Sequence, residues 1–108
     1  MVSEEMRRTA TDRLKILEDP LNMETALILY TTGPMSYTNI VESLMNIRSS
    51  GHAPYLDHCH TKDDFYVATS GALGDLDSLM IVDDLPQTEE SAFFLTLKGY
   101  EIIKFLVE

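Results

Sequence analysis

The sequence predicts a mainly α domain with a small antiparallel β-hairpin and an extra N-terminal helix; an α+β domain with a three-stranded antiparallel sheet is the alternative. Three observations carry this expectation. Apolar residues recur at three- and four-residue spacing in several separate stretches, which is the helical period. Between Met80 and Leu95 that period gives way to two strand-favouring runs, Met80-Ile81-Val82 and Ala92-Phe93-Phe94-Leu95, on either side of the acidic, proline-bearing turn 83–91. No repeat, low-complexity tract or linker interrupts the 108 residues, so 1–108 reads as one domain.

Ser3-Glu4-Glu5 offers an N-cap with acids in the first turn, and Met6, Ala10, Leu14 and Leu17 line one face of a helix reaching Glu18. The other face carries Arg7, Arg8, Arg13 and Lys15, half of all the basic residues. Solvation explains such a face, with an acidic partner or a phosphate contact as the alternative. Proline disfavours helix in the residue before it, so Asp19-Pro20 breaks the chain and Asn22 is expected to cap a second helix through Met23, Ala26, Leu27 and Tyr30. Leu21 to Tyr30 is apolar on nearly every side, which suits a helix at the centre of the core, and Thr31-Thr32-Gly33-Pro34 ends it. Ser36 or Thr38 caps a third helix with Tyr37, Ile40, Val41, Leu44 and Ile47 as its buried stripe, Glu42 and Arg48 outside, and Ser49-Ser50-Gly51 as its stop.

The stretch Gly51 to Thr61 is an ordered loop, a short extra turn or a remodelled region. Thr61-Lys62-Asp63-Asp64 then starts a helix, with Thr61 as cap and two acids at the positive end of the helix dipole. Run to Met80, that helix places Phe65, Ala68 or Thr69, Ala72, Leu76 and Leu79 on one face. Against its continuity stand the strand formers of 65–69 and Ser70-Gly71 with Gly74, which cost roughly 2 kcal/mol of helix propensity. A strand over 65–69 followed by a helix over 71–80 is the alternative. After the hairpin, Thr96 caps a last helix whose Tyr100, Ile103, Phe105, Leu106 and Val107 are too many for one narrow stripe, which points to a homodimer.

Composition bounds the function classes. The chain is 44% hydrophobic and 24% charged, a globular balance. No apolar run approaches the roughly 18 residues that span a bilayer, and Met1 to Met6 lacks the layout of a secretory signal, so a cytoplasmic protein is expected. The single Cys59 builds no internal disulfide and fits a reducing compartment. A formal charge of −10 repels nucleic-acid phosphates at long range unless the cations cluster, or is an adaptation to a salty cytoplasm.

The run Pro34-Met35-Ser36-Tyr37-Thr38-Asn39-Ile40-Val41-Glu42-Ser43-Leu44 and the order from Leu73 to Tyr100, with Leu95-Thr96-Leu97-Lys98-Gly99 opening the last helix, resemble winged helix-turn-helix regulators of the MarR and PadR kind over about residues 20–107. The resemblance implies a transcription regulator that is not an enzyme. Its partner would be double-stranded DNA, met by Lys62, Thr69 and Ser70 of the recognition helix and by Arg48 of the helix before it. Two features depart from the pattern: the loop 51–61 is longer than the usual three or four residues, and from Ser49 to Leu97 Lys62 is the only cation against nine carboxylates, a net −8. The second departure supports a different reading, an acidic winged-helix adaptor that binds protein through its acidic face or through Phe93, Phe94, Tyr100 and Phe105.

A third reading comes from His52, His58, Cys59 and His60, whose imidazoles and thiolate suit a transition metal or a redox-sensing thiol. Neighbouring side chains point apart, so a loop in which one or two of these groups pack or hydrogen-bond is the competing explanation. The paired acids Asp63-Asp64, Asp75 with Asp77, Asp83-Asp84 and Glu89-Glu90 match no calcium-loop spacing, and no phosphate loop, nucleophile elbow or His-Glu-x-x-His is present. No cofactor and no small-molecule substrate is therefore expected.

Overall fold

Asp19 and Pro20 set the first boundary differently from the sequence expectation. In the computed structural model, which describes residues 4–51, 53–85 and 91–108 and no side chain of residues 4–10, α1 is Glu4–Leu17 and α2 is Pro20–Thr32. Asp19 caps α2: its carboxylate accepts from the Leu21 and Asn22 amides while Pro20 takes the first turn, where its missing N–H costs nothing. Asn22, expected as the cap, is instead buried, and its amide donates to the Ile16 carbonyl and to Asp75. The expected Ser3 cap, the side chains of Met6, Arg7, Arg8 and Ala10, His52 and the turn residues 86–90 lie outside the described residues.

α3 is Tyr37–Ser49, and Ser36 rather than Thr38 caps it, its hydroxyl accepting from the Asn39 amide at 3.2 Å. α4 is one continuous helix, Lys62–Ser78. The alternative with a strand over 65–69 is overturned because burial outweighs propensity: Phe65, Thr69, Ala72, Leu73 and Leu76 all face the core, a surface no five-residue strand would bury there. Met80, at φ 61, turns the chain out of α4, and Ile81 donates back to the Leu76 carbonyl. The loop between α3 and α4 contains a short extra turn. A single 3₁₀ turn, Pro54–Leu56, sets a three-residue spacing that brings Ala53, Leu56 and Cys59 into the core together.

The hairpin is β2, Val82–Leu85, and β3, Ala92–Leu95, with Val82 opposite Leu95 and Leu85 opposite Ala92. It starts two residues later than expected, since Met80 and Ile81 are spent on the turn out of α4. β1, the two residues Met35–Ser36, pairs with the other edge of β3, so the sheet is three-stranded and antiparallel in the order β1-β3-β2. α5, Leu97–Val107, closes the chain behind a Thr96 cap. The architecture is thus mainly helical with a small three-stranded sheet. α2 lies at its centre and touches α1, α3, α4, α5 and β3. One hydrophobic cluster holds it together, running from Leu17 through Leu29, Leu44 and Leu76 to Ile103.

Candidate functional site

The α4 face and the hairpin are the first surface to weigh. A reciprocal cap fixes the start of α4: Thr61 accepts from the Asp64 amide while the Asp64 carboxylate accepts from the His60 and Thr61 amides at 2.7 and 3.0 Å. Those backbone donors hold the Asp64 carboxyl below its usual range. Exposed along α4 are Lys62, Asp63, Val67, Ser70, Gly71, Gly74, Asp75 and Asp77, and the adjoining β2 exposes Asp83, Asp84 and Leu85. Lys62 is the only cation on this surface among the described residues.

Of the four residues expected to meet DNA, the structure brings Lys62 and Ser70 to this surface and withdraws the others. Thr69 is fully buried, its hydroxyl donating to the Phe65 carbonyl at 2.7 Å, which corrects the expectation for it. Arg48 sits on α3, with Nε donating to the Leu56 carbonyl at 3.0 Å, so it braces the loop. Ser70 is also engaged. The Tyr37 hydroxyl donates to the Tyr66 carbonyl at 2.5 Å and, having one proton, receives its second bond from the Ser70 hydroxyl.

The His/Cys loop does not assemble a metal centre among the described residues, and His52 lies outside them. Cys59 is buried, and burial pushes its thiol pKa up, the opposite of an activated thiolate. His58 Nε2 is 3.6 Å from its sulfur, but His58 and His60 both stand on the exposed side of the loop.

The expected interaction residues divide between two faces. β3 is the central strand, so Phe93 and Phe94 form no edge; they are half-buried on opposite sides of the sheet. Phe93 stacks near Tyr37, which in turn lies against Tyr66 with ring centres 5.3 Å apart. Phe94 lines a shallow pocket of about 290 Å³ with Tyr30 and Tyr100, whose rings are 5.2 Å apart. Phe105 is different: it is 81% exposed and borders a groove of about 320 Å³ between α1 and α5, with Arg13, Leu14, Lys98, Glu101 and Ile102 as the other lining residues. Leu14, assigned to the buried stripe of α1 by its spacing, is half-exposed at this groove, because Ile16 and Leu17 make the contact with the core instead.

The chain matches no protein-family model, and no curated protein matches it. Its surfaces therefore have to be read from their own chemistry. No helix among the described residues is long and apolar enough to cross a membrane.

Sequence reasoning missed the α1–α5 groove and the brace between α1 and α4, in which Arg13 Nε donates to the Leu79 carbonyl at 2.9 Å. The adjacent pair Ile16-Leu17, more apolar than the Leu14 position, was the available signal for how α1 is rotated. The brace joins residues 66 apart in the chain, and local spacing carries no trace of it.

Proposed function

We propose that this chain is a winged-helix regulatory domain of cytoplasmic setting that works by docking protein, with its acidic α4 and hairpin turned toward a partner of basic surface. The order of elements, with α2, α3 and α4 followed by the β2–β3 hairpin and a closing helix, supports the winged-helix part of the reading. The single observation that carries the rest is the charge of the surface a winged helix would present to DNA: Lys62 stands there against exposed Asp63, Asp75, Asp77, Asp83 and Asp84. A DNA reader of this geometry needs several phosphate-neutralising cations, each adding to affinity and salt dependence.

DNA reading by α4 is the second interpretation, favoured by the exposure of Lys62 and Ser70 on the same helix. A mobility-shift titration against mixed-sequence duplexes at low and high salt separates the two. The adaptor reading expects no complex even at low salt. Binding that weakens steeply as salt rises, and is abolished by Lys62→Glu, would overturn it.

A further inference from the structure

Three aromatic rings from three different elements meet beside the sheet. Tyr30 near the end of α2, Phe94 of β3 and Tyr100 of α5 line the pocket of about 290 Å³, together with Gly33 and Pro34 of the turn after α2. The Tyr30 and Tyr100 ring centres are 5.2 Å apart, and Tyr100 is 45% exposed, so part of this aromatic surface is open to an incoming group. The face of such a ring carries partial negative charge and attracts cations, more strongly where water is partly excluded.

Carboxylates stand at the rim of the same pocket. Asp83 of β2 lies directly opposite Phe94 in the ladder, so the two side chains share one face of the sheet with Cβ atoms about 5 Å apart. Asp83 is exposed, and the Asp84 amide donates to its carboxylate at 2.8 Å, which holds it in place. The Glu108 carboxylate bears on the pocket too: burial first, and then its charge, push the Tyr30 phenol pKa up. The cations of α5 are directed elsewhere, since Lys98 and Lys104 line the two grooves that border Phe105. Aromatic faces with acids at their edge match a positive charge that also carries apolar surface.

We infer that the pocket of Tyr30, Phe94 and Tyr100 takes an arginine side chain of a protein partner, its guanidinium lying flat against the rings and donating to Asp83. This deepens the adaptor reading and rests on it for the partner: a basic surface that meets the acidic hairpin sets one arginine here as its anchor. Shape and hydration favour arginine over lysine. A planar guanidinium stacks on a ring while its edge N–H groups reach a carboxylate, and it is weakly hydrated, whereas an ammonium is a compact, strongly hydrated point charge. The phenol oxygens of Tyr30 and Tyr100 add further acceptors.

The test is an NMR titration of the isotope-labelled full chain, at fixed salt, with N-acetylarginine methylamide and with its lysine and citrulline analogues. The arginine probe is expected to shift the Tyr30, Phe94 and Tyr100 ring signals together, to bind about fivefold or more tighter than the lysine probe, and to leave citrulline without a saturable response. Asp83→Asn and Tyr100→Leu, both at exposed positions, are each expected to weaken the arginine response about fivefold or more in a chain whose amide spectrum stays folded. No shift at these rings, an equal response to lysine or citrulline, or a response indifferent to both variants would each overturn the assignment. Shifts confined to the α4 acids Asp63, Asp75 and Asp77 would overturn it as well, yet leave the acidic adaptor standing; the adaptor falls instead in the duplex titration, which these probes do not enter.

Discussion

Gly99, in the first turn of α5, and the glycines in the interior of α4 face opposite fates. A Cβ on Gly99 would lie 2.1 Å from the Ile81 carbonyl oxygen, a backbone atom that cannot swing aside, whereas one on Gly71 or Gly74 meets nothing within 4 Å. Gly99→Ala is therefore expected to destabilise the fold by about 1–3 kcal/mol despite its gain in helix propensity. Gly71→Ala and Gly74→Ala should each stabilise it by about 0.5–1 kcal/mol. Urea denaturation of the three variants reads both signs at once. Cys59 makes a second residue-level case. Burial raises its thiol pKa from the ordinary value of 9.0, so its contribution to stability is complete below pH 9 and is lost as pH rises through the higher folded value. Stability should fall above pH 9, and Cys59→Ala should flatten that decline; alkylation of the native protein near neutral pH should be slow.

Among the elements, α4 shows most plainly what local pattern can and cannot decide. The stripe Phe65, Ala68 or Thr69, Ala72 and Leu76 was legible as a helix face, and Thr61 with Asp64 was legible as its start, because both are written within one or two turns. Whether the β-favouring residues 65–69 would obey that stripe was not legible, since the answer lies in contacts with α2 and α3. The loop before it hid its buried residues for a related reason: Ala53, Leu56 and Cys59 repeat at three rather than at 3.6 residues, a spacing that is easily taken for no period at all. In the candidate surfaces, the low cation content of α4 and β2 was plain from composition, while the burial of Thr69 and the exposure of Leu14 depended on how each helix is rotated against its neighbours. The cap of α4 supplies a prediction at this scale. Backbone donors lower the Asp64 pKa below its ordinary 3.8, so its contribution is present above pH 3.8 and is lost as pH falls through the lower folded value. Asp64→Asn should remove that part of the acid unfolding curve, and Thr61→Ala should cost about 1 kcal/mol by thermal melts near neutral pH.

For the whole molecule, the formal charge of −10 works against compactness as well as against DNA. Screening should relieve that self-repulsion, so the melting temperature is expected to climb with added sodium chloride; roughly 4–8 °C would report about 1 kcal/mol in a domain of this size. A melting temperature that falls with salt would show instead that attractive ion pairs dominate. The junction at Ile81 gives the molecule one more property. Thr96 donates through its amide to the Ile81 carbonyl and through its hydroxyl to the Met80 carbonyl, and Gly99 presses directly on that Ile81 oxygen. The root of the hairpin and the first turn of α5 thus meet at the Ile81 carbonyl. A side chain larger than hydrogen at residue 99 would therefore have to prise the root of the hairpin and the first turn of α5 apart.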